Sequence, residues 1–214
     1  MGGTDAGPDA VRFQDLVARA RGLGPGRVLL GICGAPGAGK STLAERLVTA
    51  LGTEAVYVGM DGFHLAQAEL NRLNRAERKG APDTFDAAGY VNLLTRLAAQ
   101  QAETIYAPEF HREIEEPIAG AVPVEPRHRI VVTEGNYLLL SDDPWRKVRD
   151  VLTETWFLSP DETVRRDRLM ARHQAFGRTM AEARERTLGS DERNAVLINA
   201  TRESADLIVP AVLD

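Results

Sequence analysis

Short apolar runs alternate along the chain with segments whose apolar residues recur every three or four positions. Five runs read as strands: 27–33 (R-V-L-L-G-I-C), 54–59 (E-A-V-Y-V-G), 129–134 (R-I-V-V-T-E), 153–158 (T-E-T-W-F-L) and 205–210 (A-D-L-I-V-P). The first is apolar almost throughout, which suits a strand covered on both faces of a parallel sheet. Between the runs lie helical patterns. Residues 41–51 put Leu43, Leu47 and Leu51 on one face, and Asp86 is expected to cap a helix buried through Tyr90, Leu93, Leu94 and Leu97. Ser159-Pro160-Asp161-Glu162 reads as a capping box with proline at the first helical position, and Thr179-Met180-Ala181-Glu182 as a second box, so helices are predicted to begin near 160 and 180. The stretch 104–128 carries Pro108, Pro117, Pro123 and Pro126 and reads as extended segments and turns over the ligand face. The pattern predicts one α/β domain over residues 1–214, a five-stranded, mainly parallel sheet flanked by helices, with residues 1–10 expected to fray.

Composition narrows the class. A hydrophobic content of 43% with 27% charged residues is ordinary for a globular chain, so neither disorder nor a coiled coil is indicated. The net charge of −5 lacks the basic surplus of a general nucleic-acid binder. The lone cysteine, Cys33, lies inside an apolar run as a small hydrophobe and cannot close an internal disulfide. With neither a basic start and apolar h-region nor an apolar run of membrane-spanning length, secretion and membrane insertion are not expected, and a reduced cytoplasmic setting fits. Trp145 and Trp156 suit core positions, and the histidines lack metal-ligand spacing with Cys33 or one another.

The candidate chemistry begins where the first strand ends. Gly34-Ala35-Pro36-Gly37-Ala38-Gly39-Lys40-Ser41, followed by Thr42, is a complete G-x-x-x-x-G-K-S loop between a strand and a helix, which predicts a P-loop NTPase fold. Such a loop turns successive N–H groups and a helix N-terminus onto one anion, so ATP and Mg²⁺ are the expected ligands. Lys40 is expected to reach the β- and γ-phosphates and Ser41 to ligate Mg²⁺. Ligands of open parallel sheets sit beyond the carboxyl ends of the strands, where two acids stand. Asp61 follows the second strand in V-G-M-D-G-F-H, and Glu134 ends the third in I-V-V-T-E-G-N-Y. Phosphoryl transfer needs one carboxylate to orient the attacking hydroxyl and another to hold the metal or its water.

These segments resemble the uridine kinase, phosphoribulokinase and type I pantothenate kinase group of P-loop kinases. D61-G-F-H, K79-G-A-P-D-T-F-D, E134-G-N-Y-L-L and A205-D-L-I-V-P follow the P-loop in that group's order, over residues 27–210. The resemblance implies that Asp61 is the catalytic base and that Glu134 helps to organise Mg²⁺. Arg165, Arg168 and Arg172 share a helical face, and R172-H-Q-A-F-G-R178 looks like the uridine kinase lid segment, with His173 in place of its aspartate and Phe176 in place of an arginine. A helical lid around 160–180 is therefore expected, with Arg168, Arg172 and Arg178 stabilising transferred charge. Gly80 stands where uridine kinases place a ribose-binding aspartate, whereas the segment from Lys79 follows the pantothenate kinase pattern; Arg112 takes the place of that pattern's histidine. Lys79, His64, His111 and Arg112 are the candidate substrate contacts, His64 because it follows Asp61 by three residues in a strand-end loop. His111 sits in a polar segment where a surface position is the other reading.

The predicted function is transfer of the γ-phosphate of ATP to a hydroxyl of a small metabolite, pantothenate-like, nucleoside or sugar. Neither nucleic acid nor membrane is an expected partner, and a homodimer is left open. A regulatory NTPase is the alternative: D86-A-A-G89 matches a D-x-x-G switch element, though no N-K-x-D segment follows it. A nucleotide-binding sensor without turnover is disfavoured by the intact Lys40, Ser41 and Asp61.

Overall fold

A computed structural model describes residues 11–100, 102–210 and 212–213; the expected fraying of residues 1–10 lies outside them. The elements in chain order are β1 (Val11–Arg12), α1 (Phe13–Arg21), β2 (Val28–Gly34), α2 (Lys40–Leu51), β3 (Ala55–Gly59), α3 (Gln67–Arg72), α4 (Ala87–Ala98), β4 (Ile105–His111), β5 (Glu116–Val124), β6 (Ile130–Gly135), α5 (Arg146–Val151), β7 (Glu154–Leu158), α6 (Glu162–Ala175), α7 (Met180–Leu188), α8 (Ser190–Asn199), β8 (Leu207–Val209) and β9 (Val212–Leu213). The five predicted strands form one parallel sheet in the order β3-β6-β2-β7-β8. The chain returns to the sheet through helices each time, as parallel pairing requires.

Every residue of β2 and β6 is buried, so both faces of the sheet are covered. Alternation along β2 divides the core in two. Val28, Leu30 and Ile32 face α1 and α2, where they meet Phe13, Leu16, Leu43 and Leu47. Leu29 and Cys33 face α4 and α5, among Tyr90, Leu94, Trp145 and Val148. The predicted faces of α2 and α4 are the buried ones, and both tryptophans are core residues.

Three predicted boundaries carry physical information. Asp86 caps α4 by accepting from the Gly89 amide, and Thr179 and Glu182 form the reciprocal box that starts α7. The box predicted at Ser159, by contrast, does not form. The Ser159 amide donates to Val209 O, which keeps Ser159 in the sheet ladder, and α6 begins only at Glu162, capped by the Asp161 carboxylate on the Thr163 and Val164 amides. Helix α1 was not anticipated, although Phe13, Leu16, Val17 and Ala20 follow i, i+3, i+4, i+7 and are its buried residues.

The proline-rich stretch is the antiparallel hairpin β4–β5, with Ile105 opposite Val124 and Phe110 opposite Pro117. Its register shifts between Ala107 and Glu109, at Pro108, which has no N–H to give the ladder.

Leu94 is fully buried in the α4 core. Leu94→Ala is expected to lower the unfolding free energy by about 2–5 kcal/mol in a denaturant titration, the cost of an internal cavity. A change below about 0.5 kcal/mol would contradict this packing.

Candidate active site

Sheet register decides which side chains meet at the carboxyl edge. In β6, Glu134 lies between Ile32 of β2 and Gly59 of β3, so the end of each neighbouring strand opens beside it. Beyond Gly34 the chain turns through residues 35–39 and enters α2 at Lys40. Gly37 has φ 84°, and a Cβ there would lie 2.6 Å from the carbonyl oxygen of Arg165. Only glycine permits that approach between the loop and α6.

Lys40 is buried, and its ammonium donates to Asn136 Oδ1 at 2.7 Å and to Ala35 O at 3.3 Å. Burial pushes the ammonium below its ordinary pKa, while Glu134 pulls it the other way. Glu134 is likewise buried, which pushes its carboxyl above the usual range against the pull of Lys40. Its Oε1 accepts from Ser41 Oγ at 3.0 Å and from the Tyr57 hydroxyl at 2.7 Å. Beneath the loop, burial pushes the Cys33 thiol up to about 11, so it stays protonated and packs as an apolar group.

Asp61 lies in the 3₁₀ turn Met60–Phe63 that follows β3. Its carboxylate is 3.6 Å from Arg112 and 3.9 Å from His64 Nε2. The His64 ring stacks on Phe85 at 4.0 Å between centroids and tilts against Phe110 at 5.0 Å. Burial, reinforced by Lys79 and Arg112, pushes its pKa down to about 3, so the imidazole is neutral near pH 7.

These groups face one cavity of about 760 Å³, lined by Lys40, Ser41, Asp61, His64, Lys79, Arg112 and Glu134, with Arg172 and Arg178 across it. Arg168 is elsewhere, lining an adjoining cavity of about 540 Å³ with Gly39 and Thr42. The stripe of three arginines is thus split by packing. Arg165 is 1% exposed and donates to Pro36 O at 3.0 Å and to Glu162 and Glu192, fastening α6 to the phosphate loop and to α8. His111 is not among the residues lining either cavity; it pairs with Glu109 at 3.4 Å on the hairpin. The D86-A-A-G89 element is the α4 cap and contributes no switch loop.

Tyr57, Asn136 and the partners of His173 are site residues not anticipated from the sequence. Asn136 stands two positions after Glu134, a spacing that returns it to the strand-end face; Tyr57 leaves no such local sign. His173 Nε2 is 2.7 Å from Asp191, and its Nδ1 is 2.7 Å from Arg178 Nη1. A guanidinium only donates, so Nδ1 accepts and the Nε2 proton goes to Asp191, which places Arg178. Gly80 has φ 99°, and its carbonyl accepts from the Tyr137 hydroxyl, a backbone shape that an aspartate at this position would strain.

The donor set suits a triphosphate and a hard divalent cation. Lys40 is a desolvated cation at a helix start, and Ser41 and Glu134 offer the oxygen ligands that Mg²⁺ prefers. Residues 29–214 match the model of the phosphoribulokinase/uridine kinase family. The chain belongs to that family. A "putative uridine kinase" of Schizosaccharomyces pombe is 35% identical over 215 residues, covering 94% of this chain and 92% of that one. The crystal structure of a "putative fructose transport system kinase" from Silicibacter sp. TM1040 superposes with a TM-score of 0.84 at 35% identity, over 94% of this chain and all of that one. A "putative P-loop containing kinase with a circular permutation" from Saccharomyces cerevisiae gives a TM-score of 0.79 at 20% identity over 95% of this chain and all of that one, a likeness of fold alone.

Two measurements test the site as a family member's. Between His64's ordinary pKa of 6.5 and its folded value of about 3, the unfolded chain binds the extra proton, so stability falls as pH drops through that window. His64→Phe keeps the ring stack, and the loss of unfolding free energy from about pH 7.5 to about pH 5 should shrink by about 2 kcal/mol; an unchanged loss would show that His64 protonates freely in the folded protein. Arg165→Met retains the buried stem but leaves Pro36 O without its donor, and is expected to cost about 1–3 kcal/mol in stability. ADP affinity, read by calorimetry, should weaken with it, and unaltered affinity would mean that α6 does not support the loop.

Proposed function

We propose that this chain is an ATP-dependent kinase that phosphorylates a hydroxyl group of a small molecule. The observation that carries the proposal is that Lys40, Ser41, Glu134 and Asp61, drawn from three strand ends, open onto one cavity with Arg172 and Arg178 facing them. The likeness at 35% identity to proteins named as uridine and fructose transport system kinases supports a sugar or nucleoside-sized acceptor.

In this reading the amides of residues 37–42 and the Lys40 ammonium hold the β- and γ-phosphates. The nucleoside extends into the adjoining cavity beside Gly39, Thr42, Pro160 and Pro210, where Arg168 borders it. Mg²⁺, held through Ser41 and Glu134, supplies charge neutralisation of the phosphate oxygens. Asp61 orients the acceptor hydroxyl and takes its proton as the acceptor oxygen bonds to the γ-phosphorus and the bond to the β-phosphate oxygen breaks, its electrons leaving with ADP. Arg172 and Arg178 stabilise charge on the transferring group from the segment 160–180, which acts as the lid. A regulatory NTPase is the weaker reading because its switch-like segment is a helix cap.

Asp61→Asn is expected to lower kcat by about a hundredfold to ten-thousandfold while ADP binding is retained. Lys40→Ala should instead lose nucleotide affinity, measured by calorimetric titration of an ATP analogue. If Asp61→Asn lost nucleotide and metal as severely as Lys40→Ala, Asp61 would be a metal ligand and Glu134 the better base.

A further inference from the structure

We propose that the acceptor carries an anionic group, a carboxylate or a phosphate, near the hydroxyl that is phosphorylated, and that Arg112 and Lys79 bind it. The inference rests on the kinase reading and specifies its substrate. The main cavity has two walls. The wall around Lys40 and Ser41 belongs to the nucleotide; the opposite one is built from the turn after β3, the loop that starts at Lys79, and the tip of the β4–β5 hairpin. That second wall presents two cations, one carboxylate suited to the reactive hydroxyl, a neutral histidine and two aromatic rings.

Neither cation is consumed by its neighbours. Arg112 approaches Asp61 only to 3.6 Å, longer than the 2.7–2.9 Å of a charge-assisted hydrogen bond. Lys79 donates to the Glu115 carbonyl at 2.6 Å, but the Glu115 carboxylate stays 3.9 Å away, leaving its charge without a close counter-ion. Lys79 lies 5.5 Å over the Phe110 ring, and Arg112 lies 5.9 Å from the ring of Phe176 on the lid side. Both cations therefore stand at the cleft, held by rings. Around the whole cavity Lys and Arg side chains outnumber Asp and Glu eight to five, in a chain whose net charge is −5. The concentration of positive charge is local to the site. It also reaches the cavity wall, since Lys79 and Arg112 both push the proton off His64 although Asp61 is adjacent.

The Arg112–Asp61 pair gives the charge a second consequence. While Arg112 faces Asp61 at 3.6 Å, the guanidinium stands on the side from which an acceptor hydroxyl would reach the carboxylate. An anion on the acceptor draws Arg112 to itself and frees Asp61 for the hydroxyl. Acceptor charge then contributes to turnover as well as to binding, and water, which brings no charge, is a poor acceptor.

The test compares neutral and anionic partners of one skeleton: glycerol with glycerate and glycerol 3-phosphate, pantothenol with pantothenate, fructose with fructose 6-phosphate, each with Mg-ATP and ADP release as the readout. An anionic member is expected to exceed its neutral partner by at least about a hundredfold in kcat/KM, with the carboxylate and phosphate arms separating the two anions. In Arg112→Gln that ratio should collapse by about tenfold or more, ATP hydrolysis without acceptor should rise several-fold, and ADP affinity should hold. Lys79→Gln should lower the ratio without raising hydrolysis, which keeps the test open if Arg112→Gln fails to fold. A neutral compound used as well as its anionic partner overturns the inference and leaves the kinase standing. So does an Arg112→Gln enzyme with the wild-type ratio and hydrolysis. Should no compound be turned over, inorganic phosphate decides: a rise in melting temperature of the Mg-ADP-loaded protein that Arg112→Gln abolishes supports the anion site, and no rise overturns it. ATP hydrolysis that no acceptor of either kind accelerates is the separate result that sinks the kinase reading.

Discussion

A lysine and a glutamate buried side by side, Lys40 and Glu134, set the terms for the rest of this molecule. Burying two charges is costly unless every polar atom is answered. Here the answers come from Asn136 and the Ala35 carbonyl on one side and from Ser41 and Tyr57 on the other. Those partners belong to β3, α2, the phosphate loop and the turn after β6, so the pair can exist only where the parallel register brings them together. The opposing pKa shifts of the two groups express the same condition: each is driven toward neutrality by desolvation and held charged by the other. A polyanion with a divalent cation relieves that tension, which is why the arrangement suits nucleotide chemistry.

The covering helices obey a second electrostatic rule. Arg165 is sealed inside, where the Pro36 carbonyl, Glu162 and Glu192 satisfy its guanidinium, whereas Arg172 and Arg178 face the cavity. Arginines of α6 and of the turn that follows it thus divide between holding the phosphate loop in place and facing the cavity. The chain Asp191–His173–Arg178 extends the division, with α8 orienting an arginine through a neutral imidazole. Helix α6 is therefore fastened to the loop near its start and places cations at the cavity near its end.

Much was readable without coordinates, for local reasons. Strands covered on both faces announce themselves as apolar runs, capping residues such as Asp86 and Thr179 act within three residues, and the glycine loop carries its own geometry. The five-stranded parallel sheet followed from such signals. The resemblance to the uridine kinase, phosphoribulokinase and type I pantothenate kinase group, carried by segments such as D61-G-F-H and E134-G-N-Y-L-L, agrees with the family match in its first two members. Helix α1 was legible in its own periodicity and was not anticipated, whereas at Ser159 a distant partner outbid a local preference. Ser159 has the sequence of a cap, but its amide is taken by Val209 in the neighbouring strand, so Asp161 caps α6 instead.

The sequence by itself determined the five sheet strands, the buried faces of α2 and α4, the phosphate loop and the two acids at strand ends, because each depends on residues close along the chain. Only the tertiary structure decided which charges meet. It sealed Arg165, sent Arg168 to the adjoining cavity, kept His111 on the hairpin and set Arg112 against Asp61, although nothing local assigns these side chains to different places. The physical reason is that a charge takes its role from burial and from partners across the fold, such as Pro36 for Arg165 at a separation of 129 residues, and those are fixed by sheet register and helix packing.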